Sequence, residues 1–169
     1  VSFIQRNAAQ TDLPPDSKDK VYGEAMLTMQ ADHRKSEIIR EGRRILKKGG
    51  LYGIHELGLT PDTIDEDHKA RIQKDLAQNI RVNARPLTEK EWGTLLEEEG
   101  FKVNKIFTNP MRLLETGRII DDEGFFRTLK IGFNIMIHSA ARKRILDMRS
   151  TFRRHRASIN AVAIIAEKI

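Results

Sequence analysis

The sequence predicts an α/β fold in a single domain, and three stretches carry that prediction. Lys20 to Glu24 is short and β-prone, and it is followed by an amphipathic helical stretch, a Gly49-Gly50 turn and the apolar run Leu51 to Leu57. Strand, helix, tight turn and strand in that order is the pattern of a parallel crossover unit. Phe101 to Phe107 mostly alternates, as a half-buried strand does, and Asn160 to Ala166 is apolar throughout, as a central strand is. With 169 residues the chain has the length of one domain, 1–169.

Each element has its own signal. Val1-Ser2-Phe3-Ile4 reads as a strand, and Leu13-Pro14-Pro15-Asp16-Ser17 as the turn that follows it. Lys20-Val21-Tyr22-Gly23-Glu24 is too short for a helix and ends in a glycine that allows close backbone approach. Asp32 is placed to cap a helix whose inner face is Ile38, Ile39, Gly42, Ile45 and Leu46, with Gly49-Gly50 as its stop. Helix resumes near Asp65, with Ile72, Leu76 and Ile80 at every fourth position. Thr88 and Glu91 have the spacing of a capping box, Leu87 and Trp92 that of a hydrophobic staple, and Gly100 ends the helix. Residues 111–158 read as a helical insertion, broken at Gly117, Gly124 and Gly132.

Composition narrows the chemistry. The chain has 30 Lys+Arg against 24 Asp+Glu, a formal charge of +6, and no cysteine. The absence of cysteine excludes a disulfide framework, a Cys-ligated zinc site, an iron–sulfur cluster and a thiol nucleophile. No apolar run reaches the roughly 18 residues of a membrane span, and Val1 to Ala9 lacks signal-peptide order. The expectation is a cytoplasmic protein with no integral membrane association. Ala140 to Ala157 holds Arg142, Lys143, Arg144, Arg149, Arg153, Arg154 and Arg156 against Asp147, so that segment accounts for the whole excess.

Standard catalytic constellations are missing: there is no G-x-S-x-G elbow, no phosphate-binding G-x-x-x-x-G-K-[ST] loop and no H-E-x-x-H helix. His33, His55, His68, His138 and His155 show no helical metal-ligand pairing, so no metal is expected. Ligands of open α/β sheets sit beyond the carboxyl ends of strands, which singles out Asn7, Glu24, His55 and Glu56. Glu24 could accept a hydrogen bond from an ammonium or hydroxyl donor, or be a solvated loop acid. His55-Glu56 could orient a substrate or supply a general base, or be a histidine bonded at the sheet rim beside a solvated glutamate.

With these elements in order, the chain resembles the C-terminal part of a class I S-adenosylmethionine-dependent methyltransferase, of the small-molecule type related to the quinone-biosynthesis methyltransferases. Phe3 to Ala8 through Leu13-Pro14-Pro15-Asp16-Ser17 is similar to the family's third strand and its L-P-x-x-D-x-S segment. Lys18 to Leu27 is similar to the fourth strand and its polar tip. Arg40 to Leu51 resembles the R-V-L-K-P-G-G-x-L segment entering the fifth strand, with Lys48 in place of proline. The resemblance implies a partial Rossmann-like sheet of family strands three, four, five, six and seven, and a chain that lacks the glycine-rich loop and is inactive or weakly binding alone.

The resemblance also assigns roles. It implies S-adenosylmethionine as cofactor, with adenine contacts at Asn7 and Ala8 and contacts near the methionine part at Gly23, Glu24 and Ala25. In that arrangement His33 faces the substrate side, while the strand-end positions make Glu24 and His55 the catalytic candidates and Glu56 a candidate to position a small-molecule substrate. In the family the cofactor carries the reactivity, so the protein aligns the partners and removes a proton. In the family's strand order, three-two-one-four-five-seven-six, strand four has an unpaired edge here. Val1 to Arg6 is therefore expected to pair with that strand, to swap into a second copy as a homo-oligomer, or to be loosely ordered.

The insertion carries Phe125, Phe126, Leu129, Phe133, Ile135, Met136 and Ile137, read as core or as a cover over an apolar substrate. The alternative function is a non-enzymatic binding module whose arginine-rich helix contacts nucleic acid, an acidic partner or a membrane surface. Nucleic acid is disfavoured, because Phe152 is the one aromatic among those arginines and offers no stacking platform.

Overall fold

The computed structural model describes residues 3–80, 83–111, 124, 127 and 138–169. In chain order they form β1 (Lys18–Glu24), α1 (Asp32–Ile45), β2 (Leu46–Leu59), α2 (Glu66–Ile80), β3 (Leu87–Thr88), α3 (Glu89–Glu98), β4 (Phe101–Pro110), α4 (Ser139–Arg154) and β5 (Ile159–Lys168). The sheet runs β1-β2-β5-β4, with the two residues of β3 paired to the end of β2. β1 is parallel to β2, while β5 is antiparallel to both its neighbours. The α/β class and the central position of the last strand are as the sequence predicts.

Period-two alternation sorts the sheet's two faces. Tyr52 and Ile54 of β2 and Val162, Ile164 and Ala166 of β5 turn towards Ile38 and Ile39 of α1 and Trp92 and Leu96 of α3, forming the main core. Gly42 lets α1 come down onto the sheet: a Cβ there would lie 3.0 Å from Cε2 of Tyr52, whose ring stacks on Phe101 at 5.2 Å. A second cluster joins Ile72 and Leu76 of α2 to Leu59 and Ile159, with Phe152 of α4 against it. On the opposite sheet face Tyr22, Phe107 and Ile165 are 64%, 52% and 38% exposed.

Helix ends follow local chemistry. Asp65 Oδ1 accepts the His68 N–H at 2.8 Å and caps α2. The Thr88–Glu91 capping box forms as predicted, with both reciprocal bonds present, and Gly100 leaves α3 at φ +82°. Asp32 is not the cap of α1. Ala31 holds that position without a side-chain bond, and the Asp32 carboxylate instead receives Lys35 Nζ at 2.8 Å and Arg85 Nη1 at 2.9 Å. Lys35, fully buried, also donates to the Arg85 carbonyl and lies 5.5 Å from the Trp92 ring centroid. Nor does Gly49-Gly50 stop α1: the helix ends at Ile45, and buried Leu46 already belongs to β2.

The amino-terminal segment departs most from expectation. Of the predicted strand Val1 to Ile4, Val1 and Ser2 lie outside the described residues, and Phe3 and Ile4 are exposed and in no strand; among the described residues β1 pairs with β2 alone, so the expected pairing of this segment with β1 is not formed. What fixes this segment is Glu41 on α1. Its carboxylate accepts the Thr11 N–H at 2.8 Å, the Thr11 hydroxyl at 2.5 Å and both Nε and Nη2 of Arg44. Of the helical insertion, α4 is observed; Gly117, Gly132 and the apolar series Phe125 to Ile137 lie outside the described residues.

Two measurements test this packing. The Arg44 guanidinium, with Thr11, holds the Glu41 carboxyl at about 2 against an ordinary 4.5. Its folded value lies below the unfolded one, so its contribution, on the order of 2 kcal/mol, is complete above about pH 5 and is lost as pH falls towards 2. Urea titrations of Glu41→Gln and the unsubstituted chain should differ at pH 7 and converge near pH 2. At Gly58 a Cβ would meet Asn160 Oδ1 at 2.1 Å and Val162 Cγ2 at 2.2 Å. Gly58→Ala should therefore cost about 1–3 kcal/mol in the same assay.

Candidate functional site

The carboxyl ends of β1 and β2 bring together most of the predicted site. Parallel register sets Glu24 opposite His55. Immediately beyond, Ala25 takes φ +50°, a left-handed conformation that costs an alanine about 1 kcal/mol, and its N–H donates to the His55 carbonyl at 2.8 Å.

Glu56 holds that turn in place. Its Oε1 accepts the N–H groups of Met26 at 3.0 Å and Leu27 at 2.8 Å; its Oε2 accepts the Thr28 N–H at 3.0 Å and the Thr28 hydroxyl at 2.7 Å. Successive amides aimed at one carboxylate form an anion nest. Four donors offset the desolvation of a side chain only 3% exposed. The expectation of a solvated or substrate-facing Glu56 is corrected accordingly: strand alternation turns His55 outward and Glu56 inward, beneath the β1 tip.

On the open face Glu24 is the centre of a polar group. Tyr22 Oη donates to Glu24 Oε2 at 2.9 Å, and His55 Nδ1 lies 3.4 Å from Oε1. The Tyr22 hydroxyl and then His55 hold the Glu24 carboxyl below the usual range, while Glu24 pushes the Tyr22 phenol up. Glu24 is thus ionised at neutral pH, an acceptor for cationic or hydroxyl donors, next to an imidazole able to take a proton. Gly23 is buried beside Met26, whose Sδ would lie 3.3 Å from a Cβ at that position.

The other predicted residues sit elsewhere. Asn7 Oδ1 accepts the Ala9 N–H at 3.1 Å and Arg34 Nη2 at 2.7 Å, so the carbonyl assigned to an adenine is already doubly bonded. Ala8 packs against the main core. His33 is exposed in the first turn of α1, and no hydrogen bond among the described residues joins it to the β1–β2 tip. Sequence reasoning missed Tyr22, whose two-residue spacing from Glu24 was the available signal, and Thr28, which had none. Among the described residues no three His, Asp or Glu side chains are placed to hold a metal ion, and no helix is long and apolar enough to cross a membrane.

If Glu56 supports the tip, Glu56→Ala leaves buried amide donors unpaired and should cost about 3 kcal/mol or more. Hydrogen exchange should then quicken at Met26, Leu27 and Thr28 well before it does in α3.

No family model matches the chain. An uncharacterised protein of Haemophilus influenzae is 34% identical over 166 residues, 98% of this chain and 64% of its own length. Scoulerine-9-O-methyltransferase 3 of Papaver somniferum is 26% identical over 90 residues, 53% of this chain and 26% of its own. The chain thus spans under two thirds of either relative. Among solved structures, a protein assigned as a sarcosine dimethylglycine methyltransferase from Galdieria sulphuraria aligns with TM-score 0.68 and 17% identity, over 96% of this chain and 57% of that one. Phosphoethanolamine N-methyltransferase 2 of Haemonchus contortus, bound to S-adenosyl-L-methionine, gives 0.65 and 18%, over 96% and 36%. The cyclase SpnF gives 0.66 and 14%, over 96% and 54%. The mixed sheet in the order β1-β2-β5-β4, flanked by helices, has the Rossmann-like fold of these neighbours.

Proposed function

We propose that this chain is the distal part of a methyltransferase domain that passes the methyl group of S-adenosylmethionine to a small-molecule acceptor. The observation that carries the proposal is the β1 tip. In a sheet of this topology the cofactor cleft opens beyond the strand ends, and there Glu56 holds a strained Ala25 turn beside ionised Glu24. A rigid, polar strand end of that kind positions a ligand, which is the protein's main task when the cofactor supplies the reactivity.

In this reading Gly23, Glu24 and Ala25 approach the methionine part of the cofactor. Glu24 accepts from its ammonium group, and His55 takes the acceptor's proton. Glu56 acts by fixing the turn, and Asn7 and Ala8 edge the adenine end through packing more than through the Asn7 carbonyl. His33 faces the acceptor from α1. The glycine-rich loop that completes the cleft is supplied by sequence outside this chain, in keeping with the greater length of the relatives. The exposed edge of β1 is where that remaining sheet, or a second copy, would pair.

The test is calorimetric titration of S-adenosylhomocysteine into this chain and into a version extended upstream through a glycine-rich loop. Binding confined to the extended chain, weakened about tenfold by Glu24→Gln as loss of a charged hydrogen bond requires, supports the proposal. An extended chain that does not bind refutes it.

A further inference from the structure

Away from the β1–β2 tip, α2 and the end of α4 border an open cleft of about 540 Å³ lined by His68, Arg71, Lys74, Asp75, Arg154 and His155. Its walls are set by helix periodicity. Ile72 and Leu76 turn one face of α2 into the second core cluster, which leaves positions 68, 71, 75 and 78 on the face towards α4. Phe152, packed on that same cluster, brings Arg154 and His155 against it.

Among the described lining residues, cations outnumber carboxylates. Among the described residues that line it Asp75 is the one carboxylate, and its Oδ2 accepts His155 Nε2 at 2.8 Å and Arg154 Nη1 at 3.1 Å. Arg71 and Lys74 make no hydrogen bond or ion pair among the described residues, although Lys69, one turn earlier, is tied to Glu66 and Glu91. Two cations at i, i+3 with no ion-pair partner within reach among the described residues, facing Arg154 across the cleft, repel one another and weaken the helix. An anion bound between them removes that repulsion. The ring of His68, 6.3 Å from that of His155, adds an N–H donor at the rim.

We propose that this cleft binds the phosphoryl group of a small phosphorylated molecule, with Arg71, Lys74 and Arg154 as its anion ligands and His68 at the rim. A guanidinium fork matches phosphoryl oxygens, and a lysine adds a point charge. The volume is that of a small-molecule site. The cleft shares no lining residue with the β1–β2 tip, so this assignment does not depend on the proposed methyl transfer.

The probe is inorganic pyrophosphate, titrated calorimetrically into the chain at constant ionic strength, with the histidine Hε1 resonances followed by NMR. Saturable binding that shifts His68, and that weakens about tenfold or more in Arg71→Gln/Lys74→Gln, supports the site. The control Lys143→Gln/Arg144→Gln removes equal charge from exposed positions of α4 outside the cleft and should leave affinity little changed. Thermal melts establish that both variants fold. Equal losses in the two variants, absence of saturable binding, or heparin binding that both variants weaken alike would overturn it, by assigning the charge to a diffuse cationic surface.

Discussion

The insertion of β5 between β2 and β4 is the contact on which everything else rests. The last strand of the chain pairs with β2 from Leu51 to Leu59 and with β4 from Phe101 to Pro110. It thereby closes a sheet whose other strands lie far apart in sequence. Its inward side chains, Val162, Ile164 and Ala166, supply the floor on which α1 and α3 pack. Its first residue, Ile159, opposite Leu59, starts the second cluster that seats α2 and α4. Without that register neither the polar tip of β1 nor the cationic cleft would have fixed walls.

The tip shows how a sheet spends polar groups to hold a strained turn. Alternation along β2 sends His55 and Glu56 to opposite faces, and the two have different duties: one is solvent-facing beside Glu24, the other buried under Met26 to Thr28. A buried carboxylate is tolerated because its two oxygens meet four donors. The same donors fix Ala25 in a conformation that an alanine would otherwise leave. Pre-set geometry of this kind is what the proposed methyl transfer would ask of the protein.

Fold alone does not fix activity. The cyclase SpnF aligns as well as the methyltransferases do, so the same sheet accommodates different reactions. Activity is therefore set by the residues at the strand ends. The arginine-rich stretch is likewise not a uniform cationic face. Arg154 is engaged with Asp75, while Lys143 and Arg144 project into solvent, and what distinguishes them is which helix each one meets.

The sequence alone determined the elements whose signals are local. Hydrophobic periodicity marked α1, α2 and α3, the Thr88–Glu91 spacing marked a cap, and an unbroken apolar run marked β5 as central, because each depends on neighbours within one or two turns of chain. The Arg40 to Leu51 segment carried the fold resemblance. Only tertiary structure decided the rest. Phe3 and Ile4 read as a strand, but a strand needs a ladder partner, and they do not reach the open edge of β1. Gly49-Gly50 read as a helix stop, but burial of Leu46 beside β1 starts the strand sooner. Glu56 read as solvent-facing, and became a buried clamp through amides about thirty residues away in sequence. The cleft of Arg71, Lys74 and Arg154 was invisible, since α2 and α4 meet only when β5 returns to the middle of the sheet.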